Sequence, residues 1–228
     1  MKNTKDSSKP KVLLLISGGI DSPVAGKLAL EKGYDLLAIH FSQEPFTDDS
    51  AELKSLLLCK MLGLKEMIVV EAGEMLNEIA KNSYREYYFV LMKRFMMRTA
   101  EKIAAQRGAK FLVTGESLGQ VSSQTLSNLN NINQATKIEI LRPVLFMNKQ
   151  EIINKSREYG YFEASKGPEM CDALASGNAK TKSVLEDVEK QEAHCNMKEL
   201  VEKTALKIRI ESTAKEIELP KQIIGACK

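Results

Sequence analysis

The chain has 228 residues, of which 43% are hydrophobic, and its 33 lysines and arginines against 30 aspartates and glutamates leave a net charge of +3. That length suits one large domain, or one domain with a small appendage, and so slight a positive excess argues against a broad nucleic-acid surface built on charge alone. No apolar run approaches the ~18 residues of a membrane span, and the polar N-terminus lacks a signal-peptide core, so a cytoplasmic protein without membrane contact is expected.

Residues 1–10 read as a flexible tail. The first element is a buried strand over 11–16, carrying the run Val12-Leu13-Leu14-Leu15-Ile16. Next come Ser17-Gly18-Gly19-Ile20-Asp21-Ser22 and a helix over 23–33, with Pro23 suited to its first turn. Further strands are predicted at 35–41, 66–71, 110–114 and 138–142. Helices are predicted at 49–62, 73–82, 84–107, 121–132 and 149–159. The strands are continuously apolar rather than alternating, as expected where helices cover both faces of a parallel sheet. The pattern predicts an α/β fold with a doubly wound, mainly parallel sheet and ligands at the carboxyl ends of the strands. The segment 164–182 reads as an irregular functional loop, followed by helices near 183–193 and 197–206 and then a short strand with an irregular tail. The expected division is a tail at 1–10, a catalytic domain at 11–175 and a small helical and irregular C-terminal extension at 176–228.

A buried strand turning through a Gly pair onto a helix N-terminus is suited to an anion. Backbone N–H groups point outward, the helix dipole adds positive potential, and no Cβ blocks a phosphate. Ser17 and Ser22 can donate to phosphate oxygens, and Asp21 can hold a magnesium ion that bridges them. The loop is too short for a Walker A motif and has no adjacent lysine, and Gly18-Gly19 does not fit a dinucleotide fingerprint. The six residues resemble the pyrophosphate loop of enzymes that cleave ATP between its α and β phosphates and adenylate a substrate oxygen.

Two more segments extend the resemblance: Gly115-Glu116-Ser117-Leu118-Gly119-Gln120-Val121-Ser122-Ser123-Gln124-Thr125, and Leu141-Arg142-Pro143-Val144 followed by Asn148-Lys149-Gln150-Glu151. In this order and spacing the three segments resemble the catalytic domain of the tRNA 4-thiouridine synthetase, or tRNA sulfurtransferase, family, which is also linked to thiamine-thiazole formation. The similarity covers about residues 10–175. It implies an adenine nucleotide alpha hydrolase (HUP-like) fold, with ATP and Mg²⁺ as cofactors. It further implies Asp21 as the essential loop aspartate and metal ligand, Lys149 as a lysine that stabilises developing phosphate charge, and Cys171 as the persulfide-bearing cysteine. Ser17, Gly18, Gly19, Ile20, Asp21 and Ser22 would bind the nucleotide, as would His40, Phe41, Gly115, Ser117 and Gln124. Read without the family, Lys149 is a solvated surface residue, Cys171 is either a core thiol or, from its polar flanks, a reactive one, and His40 is a strand-end packing residue.

The implied reaction is adenylation of an acceptor carbonyl, uridine in tRNA giving 4-thiouridine, with persulfide sulfur replacing the oxygen. Expected partners are tRNA, a cysteine desulfurase or other persulfide donor, and a second copy of the chain in a homodimer. The alternatives are thiolation or adenylation of a small molecule, and a nucleotide-binding subunit that needs a separate RNA-binding partner. Four cysteines are present without a CxxC pair, and Cys195 and Cys227 are candidate resolving thiols. The family's THUMP and rhodanese domains are not found in this sequence. Phe89 and Met92 occupy the places where iron–sulfur relatives carry CxxC, so a cluster anchored there is not expected. Arg94 and Arg98 lie on a partly basic helix with Lys93, Lys102 and Arg107; a solvated face is the default, and a grip on RNA phosphate the functional alternative.

Overall fold

The computed structural model describes residues 9–121, 123–167, 174 and 179–217. Cys171, Cys227 and Ser122 lie outside the described residues. Five parallel strands, β1 (Lys11–Leu15), β2 (Asp35–Ser42), β3 (Glu66–Glu71), β4 (Phe111–Val113) and β5 (Glu139–Leu141), form one sheet with an antiparallel sixth, β6 (Ile208–Ser212). The strand order is β5-β4-β1-β2-β3-β6. The helices are α1 (Asp21–Glu31), α2 (Ser50–Met61), α3 (Gly73–Asn82), α4 (Tyr88–Arg107), α5 (Leu126–Asn133), α6 (Lys149–Glu158), α7 (Phe162–Ser165), α8 (Leu185–His194) and α9 (Met197–Thr204).

Alternate side chains of one continuous apolar run feed two separate cores, which is what double winding requires. Leu13 and Leu15 of β1 pack with α3, α4 and α9 on one face. Val12, Leu14 and Ile16 pack on the other face with Val24 and Ala25 of α1, Leu58 of α2 and Ile152 of α6. Gly26 of α1 permits close packing, because a Cβ there would lie 2.7 Å from a Leu14 methyl.

Several details differ from the sequence expectation. α1 begins at Asp21 rather than residue 23, so the aspartate belongs to the helix's first turn. α5 begins at Leu126, not residue 121. Val121 and residues 123–125 stay outside the helix because Gly119 is left-handed (φ +75°) and its N–H donates to Gln124 O at 2.8 Å. The Thr125 hydroxyl then caps the helix by accepting from Asn128 N. The short α7 was not expected.

Residues beyond 182 join the same body. Val188, Cys195, Met197, Leu200 and Val201 enter the core under α4, and β6 pairs with β3 from Glu66↔Ser212 to Val70↔Ile208. Arg209 fastens this edge strand to α2 through Glu52, at 2.6 and 2.5 Å.

Candidate nucleotide site

The order of connection reverses between β1 and β4. β1 leads to β2 and β3 on one side, and β4 leads to β5 on the other. At such a switch point the loops leaving the strands' carboxyl ends diverge and open a crevice. Here that crevice is a cleft of about 700 Å³, within the range of small-ligand sites. Ser17, Gly19, Asp21 and Ser22 line it from the first loop, Gly115, Glu116, Gln120 and Gln124 from the loop after β4, and Phe89, Met92, Lys93 and Met96 from α4.

The first loop is braced internally. Ser17 N–H donates to the Ser22 hydroxyl at 3.2 Å, and the Ser17 hydroxyl accepts from Gly19 N–H at 3.4 Å. Gly18 is demanded twice over: its φ is +78°, and a Cβ would meet Ala51 O of α2 at 2.8 Å. Gly115 backs directly onto the helix entry, where a Cβ would stand 2.6 Å from Ser22 N and 2.7 Å from Asp21 C. Any side chain at 115 would fill the cradle.

Asp21 is the point of convergence. Its Oδ1 accepts from Lys149 Nζ at 2.9 Å and its Oδ2 from Gln120 Nε2 at 3.2 Å. Lys149 is the first residue of α6, which is fixed by a capping box. Asn148 accepts from Glu151 N–H at 3.0 Å, and Glu151 accepts from Asn148 N–H at 2.7 Å. The Ser117 hydroxyl donates to Met147 O at 2.6 Å, tying the β4 loop to the segment that delivers the lysine. Ser117 N–H in turn donates to Gln124 Oε1 at 2.9 Å. Ser117 is itself buried and acts here as a brace.

Other expected site residues stand elsewhere. His40 is buried and absent from the cleft wall. Its Nδ1–H donates to Ile16 O at 3.0 Å and lies 3.1 Å from the Ser55 hydroxyl, so the ring supports the loop from beneath. Burial pushes the imidazole down to about 4, against the opposing Ile16 hydrogen bond and with help from the Arg209 charge. Phe41 belongs to the core beside α3 and α4. Gly18 and Ile20 are not on the cleft wall either. Cys195 is buried with its thiol toward Ile79 O at 3.8 Å, and burial raises it to about 11, which removes it from the candidate resolving thiols.

Arg94 corrects the basic-face reading of α4. It is 1% exposed and grips Glu192 with Nε at 2.7 Å and Nη2 at 3.0 Å, while Nη1 donates to Asn131 O. Arg98 also binds Glu192 and reaches Ala135 O at 3.1 Å. Both guanidinium groups are thus engaged by Glu192 and backbone carbonyls. Gln120, Glu116 and Lys93 also line the cleft, a place that nothing in the sequence assigned to them one by one. Gln120 and Glu116 sit inside the quoted Gly-Glu-Ser-Leu-Gly-Gln segment, which was the available signal.

A glycine-cradled loop leading into a helix, set at the switch point of a doubly wound sheet, defines a phosphate-binding α/β domain of the pyrophosphate-loop type. The chain belongs to the family described as thiamine biosynthesis protein (ThiI), whose model matches residues 7–197. A probable tRNA sulfurtransferase of Streptococcus suis (strain 05ZYH33) is 39% identical over 213 residues, covering 90% of this chain and 53% of the relative. The crystal structure of a 4-thiouridine synthetase–RNA complex with bound ATP superposes with a TM-score of 0.82 at 35% identity, covering 89% of this chain and 55% of that one. An NMN synthetase from Francisella tularensis shares the fold at TM-score 0.54 and 13% identity, covering 94% of this chain and 90% of that one. The chain thus spans about half the length of the curated relatives it matches.

Proposed function

We propose that this chain is the ATP-dependent adenylating domain of a tRNA sulfurtransferase, with residues 11–175 carrying the chemistry and 176–228 a supporting extension. The observation that carries the reading is the meeting of Asp21, Lys149 and Gln120 over the Gly18-Gly19 loop, in a fold matched by an ATP-bound 4-thiouridine synthetase. The loop N–H groups and the Ser17 and Ser22 hydroxyls would receive the β and γ phosphates. The cradle fits because Gly115 leaves the Ser22 N–H at the helix entry uncovered, where a Cβ would stand 2.6 Å away. Among the described residues no cluster of three His, Cys, Asp or Glu could hold a metal unaided. Asp21 would therefore hold magnesium jointly with phosphate oxygens, and the ion would neutralise charge on the leaving pyrophosphate. Lys149 would leave Asp21 for the α-phosphate as negative charge builds there.

The uridine carbonyl oxygen attacks the α-phosphorus, forming the O–P bond as pyrophosphate departs. A persulfide on Cys171 then attacks the activated ring carbon through its terminal sulfur, and AMP leaves. An incoming thiol attacks the Cys171 sulfur of the resulting disulfide and releases the thiocarbonyl. In this reading sulfur reaches Cys171 from a cysteine desulfurase or a similar persulfide donor, tRNA is the acceptor in the cytoplasm, and two copies assemble as a dimer. The family's description as a thiamine biosynthesis protein favours one second reading, delivery of the same sulfur to a small-molecule thiazole precursor.

Incubation with ATP, Mg²⁺, tRNA, a persulfide donor and a thiol reductant should yield AMP, pyrophosphate and 4-thiouridine in equal amounts, the nucleoside being read by mass spectrometry of digested tRNA. Thiolation of the small molecule with unmodified tRNA would instead support the second reading.

A further inference from the structure

The floor of the cleft carries an acid that the chemistry above leaves unused. Glu116 is 2% exposed, and its Oε2 accepts from Arg142 Nε at 2.8 Å and from the Thr114 hydroxyl at 3.1 Å. Its Oε1 accepts no hydrogen bond among the described residues. Lys93 Nζ stands 3.9 Å away, inside ion-pair range but too far to donate. Lys93 and Glu116 both line the cleft that holds Asp21 and Lys149. A buried acceptor without a donor is destabilising until a partner arrives, and such atoms call for a ligand or catalytic explanation.

We propose that Glu116 Oε1 receives the ring N–H of an imide acceptor, uracil being the example, and takes its proton as the adjoining carbonyl is adenylated. The inference rests on the adenylating function proposed above and assigns the residue that takes the ring proton. Attack of a lactam oxygen on phosphorus leaves the ring cationic unless the neighbouring nitrogen gives up its proton. As the O–P bond forms and the bond from phosphorus to the pyrophosphate oxygen breaks, the N–H electron pair becomes a ring C=N bond and the proton passes to Oε1. Lys93, 29% exposed on a flexible stem, moves from beside Oε1 to the second carbonyl of the imide, leaving the first free to react. An acceptor paired with a donor matches a ring N–H flanked by C=O. A cytosine ring has no proton on that nitrogen and is refused.

The test compares the unsubstituted chain with Glu116→Gln, which keeps the shape, and Glu116→Asp, which keeps a charge for Arg142 should the glutamine variant fail to fold. Pyrophosphate release is measured with tRNA transcribed from uridine or from 5-fluorouridine, whose ring N–H is more acidic. The substitution should lower release with uridine tRNA by about 10²-fold or more, and 5-fluorouridine tRNA should recover about tenfold of that deficit. An equal deficit on both tRNAs marks Glu116 as structural and overturns the proposal. A second readout needs no turnover: binding of uridine and of 3-methyluridine, which lacks the ring N–H, to protein saturated with a non-cleavable ATP analogue. The unsubstituted chain should prefer uridine and the variants should not; failure of the unsubstituted chain to prefer uridine also overturns the proposal. If the unsubstituted chain releases no pyrophosphate with any tRNA, the proposed adenylation of tRNA falls, and this inference with it.

Discussion

Asp21 and Lys149 are 128 positions apart, and no spacing rule announces that their side chains meet at 2.9 Å. The pair is 18% and 41% exposed, so it adds at most about 1 kcal/mol to stability, and its consequence is placement. His40 is the reverse case, a residue with a site-like address and a structural job. Its imidazole is depressed from 6.5 to about 4, so between those values the unfolded chain binds the proton that the fold excludes. Stability should therefore be intact near pH 7 and fall as pH drops from 6.5 toward 4, by about 3 kcal/mol at the limit. Denaturant unfolding at pH 7 and pH 4.5 should show this loss shrinking in His40→Gln, even though the variant is weaker at pH 7 for want of the Ile16 bond. An unchanged loss would assign the acid sensitivity to other groups.

At the scale of elements, most of the fold was readable because β1 to β4 are built on largely apolar runs and the long helices are closed by polar residues or glycine. The start of α5 was misplaced because Ser122 to Thr125 look like a helix entry, while the left-handed Gly119 and the Thr125 cap that hold the chain in a loop depend on backbone geometry. The basic stripe on α4 was open to misreading for a similar reason, since the Glu192 that receives Arg94 and Arg98 lies on α8, over 90 positions downstream. Burial pushes the Glu192 carboxyl up, but the two guanidinium groups outweigh that and hold it below the ordinary range. Arg94→Met should destabilise the chain by about 3 kcal/mol, the lower end for a broken buried pair because Arg98 still answers Glu192. Urea unfolding checks this. A change under about 0.5 kcal/mol, the size of an ordinary surface substitution, would mean that α8 is not anchored through this pair.

For the molecule as a whole, the alternation of strands and helices pointed to the parallel sheet, and the Gly-Gly loop to the end that carries the candidate site. The antiparallel seating of β6 on β3 was not legible, because an amphipathic stretch such as Ile208-Arg209-Ile210 carries no sign of its partner or direction. The site was legible where residues adjoin, as in Ser17 to Ser22, and through family resemblance where they do not, as with Lys149. The braces around it, Ser117 on Met147 and Gly115 on Ser22, arise only from folding. The central claim is that this cleft adenylates an acceptor before sulfur moves. The direct measurement is tRNA-dependent pyrophosphate release from ATP by three proteins: the unsubstituted chain, Asp21→Ala and Cys171→Ser. Release is expected from the first and from Cys171→Ser, which lacks the sulfur-carrying thiol but keeps the cleft, and none from the folded Asp21→Ala. Release by Asp21→Ala at the rate of the unsubstituted chain would contradict the claim.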